Sequence, residues 1–352
     1  MEGAFGAWVP IVRAPETAPE SSPREHMPGV MPDGRTTFRT TSRPETKVRS
    51  ELPTRTRRLS FQAADPPTQR IVLPLKLLVV ASETPDEADE RRRTAGASSD
   101  ETYRQTVSAL APDAAIETVS CLGGGAAADG LDLAAFDGAF FAGSPIAMHQ
   151  DNAATRAAAD FMTRVFSVGL SAFGSCAGLQ IAAVAAGGRV ETRSPSMKAG
   201  FTRGIVATTE GRDHFLLAGR PLVWDAPAMH ADVIAQMPPG GTVLARSKHT
   251  PVEAAEIRHG AGVFHGVQYH PEIAIDEIAA AILRQSTSLV EEGLARGEDD
   301  IRAYAAMLTD LADDPQRHDI AWRLGLDADV FEPARRMTEI RNSLAHLAAR
   351  RP

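Results

Sequence analysis

Cys176 stands between two glycines in the segment Gly174-Ser-Cys-Ala-Gly178. An apolar run over residues 166–173 comes before this segment, and an Ala-rich run that predicts a helix, Leu179–Ala186, comes after it. A sharp turn from strand to helix would lift the cysteine above a sheet, as in a nucleophile elbow. The helix N-terminus beneath the sulfur would favour the thiolate, which is the nucleophile. The pattern predicts a reactive thiol, and a free cysteine that packs as a small apolar residue is the alternative.

A second segment, Gly266-Val-Gln-Tyr-His-Pro-Glu272, contains a base and a carboxylate two residues apart. Pro271 restricts His270 to an extended conformation. In an extended chain, residues i and i+2 project to the same side, so Glu272 can reach the imidazole of His270. One ring nitrogen would then be fixed by the carboxylate while the other faces a nucleophile. Together with Cys176, the segment predicts a Cys-His-Glu triad for covalent catalysis.

With these two segments the chain resembles the class-I (triad) glutamine amidotransferases, most closely the glutaminase domain of GMP synthetase. The family carries a Gly-x-Cys-x-Gly-x-Gln elbow and a Gly-Val-Gln-Phe-His-Pro-Glu motif, and Tyr269 stands here in place of the phenylalanine. A third segment resembles the family's strand that ends in Gly-Gly-Pro, and it runs from Phe136 to Gly143-Ser144-Pro145. The resemblance covers residues 73–283.

The resemblance implies a role for each of several residues. Cys176 would attack the γ-carboxamide of glutamine, His270 would act as acid and base, and Glu272 would orient the imidazole. Backbone N–H groups of Ala177 and of the Gly143–Ser144 loop would stabilise the oxyanion. The amino-acid end of the substrate would contact Gln180 and the segment Met229-His230-Ala231-Asp232, where relatives often have Ser-His-Ser-Asp. No metal or organic cofactor is expected, and His214, His249, His259 and His265 show no metal-ligand spacing.

Two enzymatic functions follow from this resemblance. The first is a glutaminase that supplies ammonia to a separate synthetase, because the chain contains no Ser-Gly-Gly-x-Asp-Ser nucleotide-binding loop. The alternative is a stand-alone hydrolase of γ-glutamyl peptides or conjugates, and the altered segment around His230 keeps it open. A catalytically degenerate binding module is disfavoured, since Cys176, His270 and Glu272 are all present.

The elements that must position these residues alternate between short apolar strands and helices. Strands are predicted at Leu77–Ala81, Ala115–Cys121, Phe136–Ala142 and Val168–Gly174, and helices at Glu101–Ala111 and Ala154–Val165. Such alternation predicts an α/β fold with a doubly wound, mostly parallel sheet, which the resemblance identifies as flavodoxin-like. Closely spaced strands between Gly204 and Tyr269 predict a β-rich excursion. Gly143, Cys176 and His270 each follow a predicted strand, so they can meet beyond the carboxyl edge of the sheet.

Three regions are predicted along the 352 residues. Residues 1–70 are rich in Pro, Ser, Thr and Arg and predict a disordered tail. Residues 71–285 form the amidotransferase domain, and residues 286–352 form a helical extension. We expect the extension to pack on its own domain, and the alternative is a surface for a homodimer or another partner.

The net charge, the length of the apolar runs and the cysteine count argue against several classes of function. The net charge of −8 argues against nucleic-acid binding. Uninterrupted apolar runs are too short to cross a membrane. The two cysteines, Cys121 and Cys176, are too few for a disulfide framework, and a working thiol predicts the cytoplasm.

Overall fold

A computed structural model of the chain describes residues 74–122, 130–193 and 197–350, so the predicted tail lies outside the described residues. One half of its main sheet is parallel and carries the cysteine elbow. Its strands in spatial order are β2 (Ala115–Ser120), β1 (Lys76–Ala81), β3 (Gly138–Phe141), β4 (Ala172–Ser175) and β11 (Gly262–Val267). Since these strands are parallel, their carboxyl ends lie at one edge of the sheet.

The other half of the sheet is antiparallel and continues from β11. It contains β10 (Ala254–His259), β9 (Gly241–Arg246), β6 (Lys198–Ala207) and β7 (Val223–His230). A separate antiparallel pair joins β5 (Arg189–Thr192) to β8 (Asp232–Gln236). This half is the β-rich excursion that the sequence predicts, and it returns the chain to the His270 segment.

Helices cover both faces of the sheet, as a doubly wound fold requires. On one face, α3 (Ala153–Ser167) and α4 (Ala177–Ala185) enclose an apolar core that includes Phe141, Phe161 and Phe264. The opposite face is covered by α2 (Ser99–Leu110) and by the last helix, Thr338–Ala349. Leu344 and Leu347 of that last helix belong to the same apolar core as Tyr103 and Tyr269.

The chain after β11 is helical. Its helices are α5 (Ile275–Arg284), α6 (Ser286–Glu291), α7 (Glu298–Asp313), α8 (His318–Leu324), α9 (Ala328–Phe331), α10 (Pro333–Arg336) and α11 (Thr338–Ala349). α5 to α9 form a third apolar cluster around Ile278, Leu308 and Val330. α11 packs instead on the sheet, so the end of the chain contributes to the central core.

The predicted fold class is confirmed, including the parallel sheet, the β-rich excursion and the helical C-terminal portion. Among the elements that escaped prediction are β5, β8 and α1 (Pro85–Ala95). α1 has the sequence PDEADERRRTA and lacks an apolar period, so its face pattern could not indicate a helix. Its ends are stabilised by a capping box between Thr84 and Glu87 and by Gly96 in the left-handed conformation. No helix within the described ranges combines the length and apolar character needed to cross a membrane.

Candidate active site

The predicted elbow is present at the junction of β4 and α4. Cys176 has φ 50° and ψ −107°, and it is the single non-glycine residue with positive φ in the described part of the chain. Its flanking glycines are required by close packing against Phe141 of β3. A Cβ on Gly174 would lie 2.9 Å from the Phe141 Cβ, and one on Gly178 would lie 2.8 Å from the same atom. The strained backbone therefore holds the sulfur at the start of a helix.

The His-Pro-Glu segment follows β11, beside β4. The Nδ1 atom of His270 lies 2.8 Å from Oε1 of Glu272, and both side chains are buried. The backbone N–H of His270 donates to the carbonyl of Pro227 on β7 at 2.8 Å, which ties the segment to the antiparallel half of the sheet. The Cys176 sulfur lies 3.8 Å from the carbonyl oxygen of Met229 and adds to the negative environment of the His270 ring. The structure thus brings together the three residues that the sequence predicts as a triad.

The surroundings of His270 favour its charged form. Burial alone would favour the neutral imidazole, but the Glu272 carboxylate and the Cys176 sulfur outweigh burial and raise the pKa of His270 to about 10. An imidazolium beside the sulfur is the partner that a thiolate needs. Cys121 provides the contrast, because burial raises the pKa of its thiol to about 12.

Gly143 lies directly against this pair. A Cβ on Gly143 would stand 2.6 Å from Cε1 of His270 and 3.5 Å from the Cβ of Cys176. Only a residue without a side chain fits here, so the backbone of the loop after β3 closely approaches both His270 and Cys176. The N–H of Ala177 is the first of α4 and has no acceptor inside the helix. In the same loop, the hydroxyl of Ser144 accepts a hydrogen bond from Ser82 at 2.7 Å.

Two hydroxyl groups that the sequence did not indicate form a hydrogen-bond chain that ends at the carboxylate of Glu272. The Ser175 hydroxyl donates to Oε1 at 3.0 Å, and the Tyr103 hydroxyl lies 2.9 Å from the Ser175 oxygen. All three side chains are buried. Burial and the nearby Glu272 charge raise the pKa of Tyr103 well above its ordinary value, so this hydroxyl stays protonated.

A second set of hydrogen-bonded polar side chains lies near the residues predicted to hold the amino-acid end of the substrate. The amide nitrogen of Gln180 donates to the Asp232 carbonyl at 3.1 Å and to the Gln268 side chain at 3.2 Å. These bonds engage both of its hydrogens, so its carbonyl oxygen is the atom we expect to face a substrate. The Asp232 carboxylate is 2.7 Å from Nδ1 of His149, a pairing with no sequence signal.

His230 is buried and neutral. Its Nδ1 donates to the Asp232 carbonyl at 2.9 Å, and its buried Nε2 has no hydrogen-bond partner within the described residues. Burial lowers the pKa of His230 to about 3. Nε2 is therefore an acceptor with a free lone pair.

A cavity of about 600 Å³ connects these groups. Cys176, His270, Gly143 and Ser144 line it, as do Gln180 and the segment from Met229 to Asp232. Its remaining wall comes from α1 and α5, which contribute both carboxylates and apolar side chains, among them Asp86, Glu90, Glu277, Ile278 and Ala281. Ala177 is buried and is not among the residues that line the cavity.

A cluster of three other side chains forms away from this cavity, although their sequence spacing does not indicate it. Nε2 of His214 and Nε2 of His265 each lie 3.2 Å from the same oxygen of Glu256. The Nδ1 atom of His214 accepts the N–H of Leu216 at 3.2 Å, so its proton resides on Nε2. A metal ligand needs the Nε2 lone pair, whereas this pattern makes Nε2 a donor to the carboxylate.

Comparisons with known proteins indicate one family of enzymes. A family model for class-I glutamine amidotransferases matches residues 119–288. A γ-glutamyl-L-1-hydroxyisopropylamide hydrolase from Pseudomonas sp is 31% identical over 222 residues, which are 62% of this chain and 74% of that protein. A GMP synthase from Thermomicrobium roseum is 36% identical over 120 residues, which are 34% of this chain and only 21% of that protein.

A solved structure shares the fold. The structure of SMU.1228c superposes with a TM-score of 0.52 at 16% identity, and the match covers 78% of this chain and 99% of that one. A glutamine amidotransferase from Thermotoga maritima gives a TM-score of 0.48 at 12% identity, with coverage of 78% and 99%. The family model and the Pseudomonas relative establish that this chain is an amide-hydrolysing enzyme that belongs to the class-I glutamine amidotransferase family.

Proposed function

We propose that the chain hydrolyses γ-glutamyl amides through a covalent thioester on Cys176. The observation that carries the proposal is the hydrogen bond of 2.8 Å between His270 and Glu272 beside a cysteine held at φ 50°. The Cys176 thiolate attacks the γ-carbonyl carbon, and the carbonyl electron pair moves to oxygen. Amides of Ala177 and of the Gly143–Ser144 loop stabilise that oxyanion, each worth roughly 3–4 kcal/mol in the transition state.

Collapse of the tetrahedral intermediate breaks the C–N bond. The His270 imidazolium gives its proton to the leaving nitrogen, so a neutral amine departs and the γ-glutamyl thioester remains. The neutral imidazole then takes a proton from water, whose oxygen attacks the thioester carbon. Glutamate leaves, and the thiolate and imidazolium return. Glu272 keeps Nδ1 protonated and directs Nε2 towards the reacting atoms throughout.

The glutamyl end would be bound by the polar groups opposite α5. The Asp232 carboxylate and the Nε2 lone pair of His230 are acceptors suited to an α-ammonium group. The carbonyl oxygen of Gln180 supplies a third acceptor. These assignments rest on the lining of the cavity and on the hydrogen bonds that hold each group.

The size of the cavity favours a substituted amine as the leaving group. About 600 Å³ lies within the range of roughly 300–1,000 Å³ that holds drug-sized molecules, so free glutamine would leave part of it unfilled. Ile273 and Ile278 follow His270 closely in the chain and line the cavity, so apolar surface is available to the leaving amine beside the carboxylates of α1 and α5. The named activity of the Pseudomonas relative, which cleaves a γ-glutamyl alkylamide, supports the same choice.

The second candidate is a glutaminase that supplies ammonia to a separate synthetase. The likeness to the glutaminase region of GMP synthases favours it. The two candidates share the same triad and differ in the size of the amine that departs.

One assay separates them. Glutamate release would be measured from glutamine and from γ-glutamyl-ethylamide and γ-glutamyl-isopropylamide. We expect kcat/KM for the alkylamides to exceed that for glutamine by at least about 10-fold, since each buried methylene contributes roughly 0.8 kcal/mol. Faster turnover of glutamine would favour the ammonia-supplying alternative.

A cysteine variant tests the covalent step. Cys176→Ser should abolish hydrolysis of all three substrates and labelling by a diazo-ketone analogue of glutamine. The matched control is Cys121→Ser, because Cys121 is also buried but carries a thiol of raised pKa. Labelling that survives in the Cys176 variant would refute the nucleophile assignment.

A further inference from the structure

A chain of three hydrogen bonds runs from helix α2 to the imidazole of His270. It passes from the Tyr103 hydroxyl to the Ser175 hydroxyl, at 2.9 Å, and from Ser175 to Oε1 of Glu272, at 3.0 Å. The same Oε1 lies 2.8 Å from Nδ1 of His270. The direction of these hydrogen bonds is fixed. The Ser175 hydroxyl donates its one proton to the Glu272 carboxylate, so it must accept from the Tyr103 hydroxyl.

We propose that Tyr103 and Ser175 are positioning residues that hold the Glu272 carboxylate in the orientation His270 requires. The proposal rests on the proposed roles of His270 and Glu272 and adds two residues that do not line the cavity. Ser175 is the last residue of β4 and directly precedes Cys176. At the end of β4, Cys176 therefore faces the cavity, while the hydroxyl of Ser175 contacts the carboxylate of Glu272.

The side chains of this hydrogen-bond chain are buried, and burial makes each of its hydrogen bonds matter more for the position of Glu272. Tyr103 and Ser175 have no exposed surface, and Glu272 is 5% exposed. Oε2 of Glu272 has no hydrogen-bond partner among the residues that the structure describes. The carboxylate therefore depends on Oε1 for its contacts with His270 and Ser175. In such a site a lost hydrogen bond is not replaced by water.

The other charged groups near Glu272 are separate from the hydroxyl chain. His270 and the Cys176 sulfur lie on the cavity side, and Arg336 of α10 lies behind the segment. The guanidinium of Arg336 donates to the Pro271 carbonyl at 3.3 Å, with Glu277 and Asp276 beyond it. Substitution of a hydroxyl leaves these charges in place, so a changed pH profile reports the hydroxyl chain itself.

The test uses two nearly isosteric variants. Ser175→Ala should lower kcat about 10- to 100-fold on a γ-glutamyl alkylamide with KM within about threefold, because misplacement of an acid–base group costs the chemical step. The alkaline limb of the kcat/KM profile should move down by about one pH unit, because a misplaced Glu272 carboxylate raises the pKa of His270 less. Tyr103→Phe keeps the ring packed against Phe140 and should give a smaller change in the same direction.

The double variant Ser175→Ala/Tyr103→Phe tests the order of the residues in the hydrogen-bond chain. Tyr103 acts on Glu272 only through Ser175, so Tyr103→Phe should have no further effect on kcat in the Ser175→Ala background. Ser343→Ala is the matched control, because Ser343 is buried on α11 and its hydroxyl has no partner within the described ranges. Additive effects of the two substitutions on kcat would overturn the proposed chain, as would an alkaline limb that stays unchanged in Ser175→Ala.

A second readout does not depend on the substrate. Iodoacetamide alkylation of Cys176 across pH, followed by mass spectrometry, reports the thiolate fraction. In Ser175→Ala the midpoint should rise by about one pH unit, since a misplaced Glu272 stabilises the His270 imidazolium less well. Failure to hydrolyse any γ-glutamyl amide would refute the proposed function alone, whereas an unchanged alkylation midpoint in an active enzyme would refute the positioning role alone.

Discussion

Replacing Arg220 by methionine should destabilise the fold through the C-terminal helix α11. Nε of Arg220 lies 2.6 Å from Oε1 of Glu339, and Nη2 lies 2.7 Å from Oε2, so the pair is bidentate. Their side chains are 2% and 0% exposed. Burial alone would lower the pKa of Arg220, but the Glu339 carboxylate outweighs burial and raises it. The guanidinium also donates to the Arg336 carbonyl at 3.0 Å.

The expected cost follows from the charge that remains. After Arg220→Met, the Glu339 carboxylate keeps only the Tyr269 hydroxyl, which donates to it at 2.8 Å. Removing one partner of a buried ion pair typically costs about 3–5 kcal/mol of the free energy of unfolding. For a domain of this size, that lowers the melting temperature by roughly 6–20 °C. Urea unfolding followed by circular dichroism would measure the loss.

Two further variants separate the buried charge from general damage. Arg220→Met combined with Glu339→Gln should recover most of the lost stability, because position 339 no longer carries a buried charge and the amide can still accept from Tyr269. Arg335→Met is the surface control, since Arg335 is 59% exposed and pairs with Glu332 at 3.2 Å and with Asp329, which also faces Arg220, at 4.0 Å. It should cost less than about 0.5 kcal/mol. A loss below about 1 kcal/mol for Arg220→Met, or a double variant no more stable than the single one, would refute the reasoning.

Two predictions concern residues that line the cavity. Gly143→Ala should lower kcat by at least about 100-fold while circular dichroism stays unchanged, because the new Cβ would lie 2.6 Å from Cε1 of His270 and displace the ring; a kcat near wild type would contradict it. Burial lowers the pKa of His230 to about 3, so between about pH 6.5 and pH 3 the unfolded chain binds a proton there that the folded chain does not. The free energy of unfolding should therefore fall as pH falls through that window, by up to about 1.4 kcal/mol per pH unit. His230→Gln should reduce this slope when urea unfolding is measured at several pH values. An unchanged slope would contradict this assignment.

The elbow and the His-Pro-Glu segment could be predicted because their information is local. Glycines at 174 and 178 and proline at 271 constrain the backbone of their own neighbourhoods. The parallel strands were also predictable, since buried strands are short apolar runs between turns. Their ends were less accurate: the strand predicted at Val168–Gly174 is observed at Ala172–Ser175, because residues before Ala172 complete the turn after α3.

The supporting contacts could not be predicted, because they join residues far apart in sequence. Tyr103 reaches Ser175 across 72 positions, and His149 reaches Asp232 across 83. A tyrosine within an amphipathic helix signals only a partly apolar face, and nothing in its neighbours indicates which hydroxyl it will meet. The same holds for His214, His265 and Glu256, which only the folded sheet brings within hydrogen-bond distance.

Tyr269 connects the His-Pro-Glu segment to helix α11, near the end of the chain. The related motif has phenylalanine at this position, which needs no polar partner. Here the buried hydroxyl donates to Glu339 of α11, whose charge is in turn compensated by Arg220. An unpaired buried hydroxyl would be costly, so the tyrosine requires the helix that carries Glu339. With Arg336 also bonded to the Pro271 carbonyl, the C-terminal helices contact residues on both sides of His270. The extension is therefore a structural support of the His-Pro-Glu segment, and a variant that detaches α11 should lose activity before it loses the sheet.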